Sequence, residues 1–188
     1  MVRKILIGIA AVVVLFILVV LTRPSTFHIE RSISMAAPPE NAFAQVNDFH
    51  AWPDWSPWEK MDPQMKKTFE GPPSGVGAMY AWTGNDKVGE GKMTIEKSTA
   101  PSLVGIKLQF FKPFAATNTA TFTFAPASEG TKVTWSMDGE NNFVGKAFSM
   151  FMDMDKMVGG DFERGLASMK TLAESAPKPS PEAAKTLP

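Results

Sequence analysis

An unbroken apolar run near the start of the chain constrains how everything after it can fold. Residues 5–21 are seventeen consecutive apolar residues. A helix rises about 1.5 Å per residue, so the run would cover roughly 25 Å, near the lower limit for crossing a bilayer. The alternative is a buried core helix, but no core needs seventeen residues that are apolar on every side. The sequence therefore predicts a membrane-spanning helix followed by a separately folded domain.

The charges beside the run predict its orientation. Arg3 and Lys4 precede the run and Arg23 follows it, and an excess of basic residues is typical of the cytoplasmic side. We expect a single-pass protein of the inner (cell) membrane, with its N-terminus in the cytoplasm and its main domain in the periplasm or otherwise extracytoplasmic. A cleaved signal peptide is the alternative. Such a peptide has a shorter apolar core and small residues at its cleavage site, whereas residues 21–27 read Leu-Thr-Arg-Pro-Ser-Thr-Phe.

The composition after the run limits the classes of function. Three of the 19 basic residues and none of the 19 acidic ones lie in residues 1–23, so the remaining residues carry a net charge of −3. A mildly acidic domain without a basic stripe does not attract nucleic acid by charge. The chain has no cysteine, which excludes disulfides, zinc–thiolate centres and thiol catalysis. We divide the chain into an anchor (1–23), one domain (24–174) and a proline-rich tail (175–188), which we expect to be disordered.

Alternating apolar and polar residues predict a series of β-strands in the domain. In the first of them Ile29 and Ile33 lie on one side and Glu30 on the other. Because the links between successive strands are short, we expect an antiparallel sheet with one apolar face. A short helix is expected at 40–49. The predicted strands are 27–35, 67–70, 78–83, 88–98, 103–111, 117–124 and 132–138.

The pattern changes to helical spacing over residues 143–173. The apolar side chains fill about half of the helix circumference, which predicts a helix gripped by a curved surface. Gly159 and Gly160 lower the helix propensity near its centre and predict a bend there.

Several local motifs accompany this order of elements. They are Arg-Ser-Ile-Ser-Met-Ala-Ala-Pro-Pro-Glu at 31–40, Phe43, Val46, Asn-Asp-Phe at 47–49, Trp-Pro-Asp-Trp-Ser-Pro-Trp at 52–58, Gly-Val-Gly at 75–77, Gly-Glu-Gly at 89–91 and Gly-Thr-Lys-Val-Thr-Trp at 130–135. Together with the final helix they resemble the SRPBCC superfamily, also called START-like or Bet v 1-like, near its polyketide cyclase/dehydrase members. The resemblance covers roughly residues 27–173.

The resemblance implies both a fold and a place for a ligand. The fold is of the α+β class, a helix-grip fold in which a curved antiparallel sheet wraps around a long C-terminal helix, here preceded by one transmembrane helix. Proteins of this superfamily hold lipids, sterols, polyketides or plant hormones between sheet and helix, and a few catalyse aldol cyclisation. The superfamily has no shared catalytic motif to transfer, and the membrane anchor departs from its usual soluble members.

Tryptophan and methionine are candidates for the wall of an apolar cavity. Trp52, Trp55 and Trp58 recur at every third residue, and four methionines crowd residues 150–157. Methionine adapts its shape and tryptophan offers a large flat apolar surface, so we expect a deformable cavity; ordinary core packing is the alternative. The predicted ligand-binding residues are Trp55, Met79, Trp82, Phe110, Phe122, Trp135, Phe151, Met154 and Val158.

Three charged residues in apolar positions are candidate polar anchors for a ligand head group. Arg31 takes an inward position on the first strand, and Asp155 and Asp161 fall within the apolar sector of the last helix. A buried carboxylate needs partners or it stays protonated, and a structural ion pair is the alternative reading. We assign no catalytic residue, and Asp155 and Asp161 are the candidates for a proton acceptor. His28 and His50 have no carboxylate at metal-ligand spacing, so we expect no metal site.

The predicted function is membrane-anchored binding, sensing or transfer of a hydrophobic small molecule or lipid, held between the sheet and the C-terminal helix. Residues 5–21 provide the membrane contact. A polyketide cyclase or dehydratase that uses an internal carboxylate is one alternative, and an adaptor that binds another protein is the other. Binding is favoured over cyclisation. We expect no cofactor and no nucleic-acid partner.

Overall fold

The structure, a computed structural model, describes residues 1–177. Most of the tail predicted at 175–188 therefore lies outside the described residues. The helices are α1 (Val2–Leu21), α2 (Pro39–Asn47), α3 (Trp52–Trp55), α4 (Phe143–Phe148) and α5 (Met154–Ser175), and two 3₁₀ turns, Phe49–Ala51 and Pro57–Lys60, flank α3. The strands are β1 (Thr26–Met35), β2 (Lys66–Glu70), β3 (Met79–Thr83), β4 (Glu90–Thr99), β5 (Leu103–Lys112), β6 (Ala116–Ala127) and β7 (Gly130–Glu140).

The strands form one seven-stranded sheet in the order β1-β7-β6-β5-β4-β3-β2. Every neighbouring pair is antiparallel, and β1 returns to pair with the last strand, β7. Side chains alternate between the two faces, so β6 buries Ala120 and Phe122 and exposes Thr119 and Thr123. The helix α5 lies against the inner face, mainly over β1. The expected α+β helix-grip fold is confirmed.

The predicted C-terminal helix is divided into two. Asn142 caps α4 by accepting a hydrogen bond from the Gly145 amide at 2.9 Å, and Asp153 caps α5 by accepting one from the Lys156 amide at 3.1 Å. These side-chain caps each start a new helix and so compete with one continuous helix. The apolar residues keep their helical spacing across the break, so their pattern does not reveal it. The helix α5 then continues without interruption through its glycines. A Cβ atom at Gly159 would overlap the Arg31 guanidinium, so this glycine permits a close approach of β1.

An aromatic cluster joins the sheet to α5. Trp135, on the inner face of β7, stacks with Phe122 at a centroid distance of 4.7 Å and with Phe162 of α5 at 4.0 Å. Trp55 and Trp58 approach the same indole edge-on, at 5.6 and 5.7 Å. Such stacked and edge-on pairs add about 0.5–1.5 kcal/mol each to the burial of their area. The sheet and the helix therefore meet here through directly packed rings.

The N-terminal helix α1 stands outside this core. It is exposed along almost its whole length, except near its end, where α4 packs against it and Val20 is fully buried. By length and composition α1 is able to cross a membrane, and a signal sequence would meet the same criterion. Only residues 22–25 separate α1 from β1.

Replacing Gly165 with alanine tests the tight packing of α5. Its Cβ would lie 3.0 Å from the Trp135 ring and 3.2 Å from Pro57, and both neighbours are themselves buried. We expect Gly165→Ala to lower the free energy of unfolding by about 1–3 kcal/mol, the usual cost of overpacking. The matched control is Gly160→Ala, whose Cβ meets only Arg164 at 3.7 Å and should gain up to about 1 kcal/mol from helix propensity. Urea unfolding measures both, and equal stabilisation by the two alanines would contradict the packing.

Candidate functional site

Side chains fill the space between the sheet and the second half of α5, which we call the closed half of the interior. Phe162, Leu166, Met169 and Ala173 of α5 are almost completely inaccessible. A side chain that lined an empty cavity wide enough for water would retain accessible surface inside it, and these side chains do not. The second half of α5 is therefore sealed against the sheet by the protein's own side chains.

The direction of α5 places its first turn at the opposite end of the sheet. Lys170 donates to the Ser34 carbonyl oxygen and Arg31 to Glu163, so α5 runs parallel to β1. The beginning of α5 consequently lies near the beginning of β1. By strand pairing, this is also the end of the sheet where β7 finishes and β5 turns into β6.

This end of the interior is incompletely closed. Five apolar side chains there are only partly buried, although their strand positions point inward or their helix faces the sheet. We call this set the mouth. It consists of Phe27, Leu108, Phe110, Met154 and Val158.

Level with Leu108 of the mouth, the sheet carries a buried side-chain oxygen that has no hydrogen-bond partner among the described residues. Asn118 occupies an inward position on β6, opposite Gly139 of β7 and Leu108 of β5. Its side chain is buried, its amide nitrogen contacts only Met137 Sδ at 3.8 Å, and its Oδ1 has no hydrogen-bond partner among the described residues. Leaving such an atom unpaired costs about 1–3 kcal/mol. Asn118 Oδ1 is therefore a buried acceptor beside Leu108 of the mouth.

The predicted ligand-binding residues fall into separate places. Met154, Val158 and Phe110 belong to the mouth, and Trp82 lies beside it, edge-on to Phe110 at a centroid distance of 5.9 Å. Trp55, Phe122 and Trp135 belong to the closed half, where they contact one another. A ligand would reach those three only if α5 moved away from the sheet.

Two of the predicted wall residues lie outside the interior. Met79 faces outward on β3 because strand side chains alternate and its neighbours Tyr80 and Trp82 point inward. It lines a shallow outer groove together with His50 and other residues. Phe151 lies between α4 and α5 and is 77% exposed. The extension of the helical pattern across residues 149–153 led to its assignment to the wall.

Of the three predicted polar anchors, Arg31 and Asp155 are brought together. The Arg31 guanidinium donates to both Asp155 carboxylate oxygens, at 3.0 and 2.8 Å, and its Nε donates to Glu163 at 2.8 Å. A planar guanidinium bound to a carboxylate through two parallel bonds is a specific geometry. This hydrogen bonding holds the pKa of Asp155 below its ordinary value. The arrangement is a clamp between β1 and α5, as the structural alternative for these residues anticipated.

Asp161 is separate from this clamp. It is 8% exposed and pairs with Arg164 one turn further along α5. Burial raises the pKa of Asp161 from its ordinary value, and the nearby Arg164 opposes that change. The pKa values of Asp155 and Asp161 are therefore shifted in opposite directions, although both residues lie on the same helix.

Sequence reasoning missed a buried polar cluster at the other side of the interior. Glu59 accepts hydrogen bonds from the Tyr80 hydroxyl at 2.7 Å and from Lys67 Nζ at 2.5 Å. Burial, and then the bond to Glu59, raise the pKa of Tyr80. No spacing in the sequence links these residues, because they come from three separate elements. Asn118 could have been found from the sequence. It lies with Ala120 and Phe122 on the inner face of β6 and is therefore a polar residue in an apolar series.

Each of the two histidines lies beside a carboxylate. His28 contacts Asp138 at 2.7 Å and His50 contacts Asp48 at 2.8 Å. Among the residues that the structure describes, no group of three or more His, Cys, Asp or Glu side chains is arranged to hold a metal ion.

Comparisons with known proteins agree with this architecture. The family model described as "Polyketide cyclase / dehydrase and lipid transport" matches residues 26–174. A comparison with curated proteins gives no match. The family match and the shared fold confirm the resemblance to the SRPBCC superfamily.

Similar solved structures share the fold at low sequence identity. Protein CV1439 from Chromobacterium violaceum is 16% identical with a TM-score of 0.56, and the match covers 81% of this chain and 100% of that one. The di-domain ARO/CYC BexL of the BE-7585A biosynthetic pathway is 15% identical with a TM-score of 0.62, over 85% of this chain and 53% of that one. The Aha1 dimer from Colwellia psychrerythraea is 15% identical with a TM-score of 0.55, over 79% and 97%. The present chain thus spans about half of BexL.

The two aspartates of α5 should respond to pH in opposite ways. Asp155 has a lowered pKa, so its carboxylate stabilises the fold above its unfolded pKa and loses that effect as the pH falls. Asp161 has a raised pKa, so stability falls as the pH rises from its unfolded to its folded pKa. At pH 7 we expect Asp155→Asn to destabilise the protein and Asp161→Asn to stabilise it.

Urea unfolding between pH 3 and pH 7 measures this difference. The Asp161 effect should vanish below the unfolded pKa of aspartate, about 3.9, where its native side chain is also neutral. The Asp155 effect should fade only as the pH falls further, through the lowered folded pKa of Asp155. Glu129→Gln, in the exposed turn between β6 and β7, is the control and should change little. Loss of stability in both asparagine variants at pH 7 would mean that Asp161 is a favourable ion pair and would contradict the burial argument.

Proposed function

Because the chain belongs to the polyketide cyclase/dehydrase and lipid transport family, we propose that it holds and passes on a hydrophobic small molecule or lipid while α1 anchors it in a membrane. The observation that carries this proposal is the incompletely closed end of the interior, with the unpaired acceptor of Asn118 beside partly exposed apolar side chains. A ligand with an apolar body and one hydrogen-bond donor fits this combination.

The energetics favour such a ligand over water. Covering the mouth removes apolar area from contact with water, at about 25 cal/mol per Å² before the costs of association. A donor from the ligand would also satisfy Asn118 Oδ1, which the folded chain leaves unpaired. A buried acceptor without a partner lowers the stability of the fold. Its presence is explained if a bound ligand donates a hydrogen bond to it.

The exposure of α1 supports the proposed anchor. Its 20 residues would span roughly 30 Å at about 1.5 Å per residue, the thickness of a bilayer's hydrocarbon core. A continuous apolar surface of this size does not persist in water. We propose that α1 is retained as a single-pass anchor, with the main domain on the extracytoplasmic side as the flanking charges indicate. The domain would then be held close to lipid-derived ligands.

A cyclase is the second candidate, and Asp161 is the residue that favours it. Asp155 is bound by Arg31 and is not free to accept a proton, whereas the buried Asp161 has a raised pKa, as an acid–base group requires. The di-domain ARO/CYC BexL is a structural neighbour. Binding remains the preferred function because Asp161 is already paired with Arg164.

Asn118→Leu separates a binding role from a structural one. Leucine has a similar volume and removes the unpaired polar atom, so the free protein should gain about 1–2 kcal/mol of stability. The ligand probes are a long-chain alcohol that carries a photoreactive diazirine and its methyl ether, which has no donor. We expect the variant to lower cross-linking of the alcohol several-fold and to leave cross-linking of the ether unchanged.

The measurement uses the full chain in phosphatidylcholine nanodiscs, with intact-mass spectrometry for cross-linking and urea unfolding for stability. Thr123→Leu, on the outer face of the same strand, is the control and should alter neither probe. If Asn118→Leu destabilises the protein and both probes react as before, Asn118 belongs to the scaffold and the head-group contact is wrong. If neither probe reacts with the native chain, the binding function itself is wrong.

A further inference from the structure

Exposed apolar side chains are concentrated at one end of the domain. After α1, nine large apolar side chains of the described residues are exposed, and seven of them lie on the β5–β6 hairpin, on α4 or in the segment just after it. We call six of these the rim. They are Phe111, Phe114, Phe143, Phe148, Phe151 and Met152.

Strand pairing places the rim at the end of the sheet where the chain leaves α1. Thr26, the first residue of β1, pairs with Glu140, the last residue of β7, and α4 begins three residues later. The β5–β6 turn lies at the same end, because Phe110 pairs with Ala116 there. Neighbouring strands are about 4.8 Å apart, so this turn lies roughly 15 Å from β1 across the sheet.

The opposite end of the domain has a different character. Its turns between β4 and β5 and between β6 and β7 consist of Ala-Pro-Ser (100–102) and Ser-Glu (128–129). Val76, in the loop between β2 and β3, is an isolated exposed apolar side chain there. The concentration of phenylalanine at the rim is therefore a local property of one end.

The connection to α1 is short and held in place. Four residues span at most about 15 Å, and the Ser25 carbonyl oxygen accepts a hydrogen bond from the Asn141 amide at 2.8 Å. Lys146 Nζ of α4 also donates to Ser25 Oγ at 2.9 Å. Together with the buried Val20, these contacts fix α4 beside the end of the apolar helix. A bilayer that surrounds α1 would meet the rim directly.

Basic side chains at the same end suit the bilayer surface. Arg23 follows α1 directly. Lys112 lies next to the β5–β6 turn with a largely exposed side chain, paired with Glu90 at 2.8 Å. Long basic side chains bury their stems in apolar surroundings and keep their charges among lipid phosphates. Phenylalanine between such residues is the composition of a segment that lies in a membrane interface.

We propose that the rim inserts into the interface of the same bilayer that α1 spans, so that the mouth opens onto lipid. This proposal rests on the proposed anchoring of α1 and identifies the source of the ligand. The mouth and the rim lie at the same end of the sheet, so an apolar molecule would pass from the bilayer to the interior without crossing water. The bilayer is preferred as the occupant over a second copy or another protein because the rim continues directly from α1.

Single cysteines report the position of the rim, since the chain has no native cysteine. The full chain is reconstituted into vesicles of phosphatidylethanolamine and phosphatidylglycerol at a ratio of about 3:1, with and without lipids that carry a doxyl quencher. A nitrobenzoxadiazole label is placed at Phe114→Cys or Phe148→Cys in the rim, at Glu129→Cys at the far end, and at Val14→Cys within α1. We expect the rim labels to be quenched by shallow doxyl lipid at least threefold more than the Glu129 label.

The Val14 label separates the failure of this proposal from failure of the anchor. If Val14 is quenched by deep doxyl lipid while both rim labels behave like Glu129, the anchor stands and the rim proposal is overturned. Rim labels that are shielded from aqueous iodide but not quenched by lipid would show that a protein covers the rim, which also overturns it. If Val14 is not quenched, the anchoring is wrong and the rim proposal fails with it.

A charge-insertion variant tests whether the rim matters for loading. Phe114→Asp combined with Phe151→Asp should lower cross-linking of the diazirine alcohol, supplied within the bilayer, at least fivefold. Val76→Asp is the matched control, an exposed apolar residue at the far end, and should leave cross-linking unchanged. The unfolding midpoint in urea should stay the same in both, because all three side chains are exposed. Equal cross-linking in the rim variant and the control would contradict lipid entry from this end.

Discussion

The indole of Trp135 stacks between a ring of the sheet and a ring of α5, and this contact holds the sheet and the helix together. Phe122 and Phe162 contact this indole from β6 and from α5 at centroid distances of 4.7 and 4.0 Å. These rings seal one half of the interior, so the space available to a ligand is confined to the other half. Gly165 allows the close approach, because any larger residue would press on the ring.

The clamp that Arg31 forms with α5 lies between the closed and the open half of the interior. It binds Asp155 and Glu163 at once, so it holds the first turns of α5 against β1 from the side. Beyond the clamp, towards the beginning of β1, Met154 and the preceding segment are loosely packed and partly exposed. The tightly packed half thus gives a rigid frame, and the loosely packed half is able to adapt to what enters, as methionine-rich surfaces do.

The fold was largely predictable from the sequence because it depends on periodicity, whereas the site depends on contacts between distant residues. The alternation of apolar and polar residues predicted the strands to within a few residues. A shift of one residue along a strand exchanges its two faces, and for this reason Met79 was assigned to the inner face although it lies on the outer one. The caps at Asn142 and Asp153 override helical spacing, so Phe151 was assigned to the wall. The Arg31–Asp155 pair was foreseen only as an alternative, since the sequence alone does not bring β1 and α5 into register.

The interior is closed at one end of α5 and open at the other. Hydrogen exchange of the full chain in nanodiscs, read by mass spectrometry of short peptides, tests it most directly. Amides of residues 162–173 should exchange only with global unfolding, while amides of 149–157 should exchange faster by several orders of magnitude. Equal protection over the two segments would mean that α5 is gripped along its whole length, and it would contradict the account.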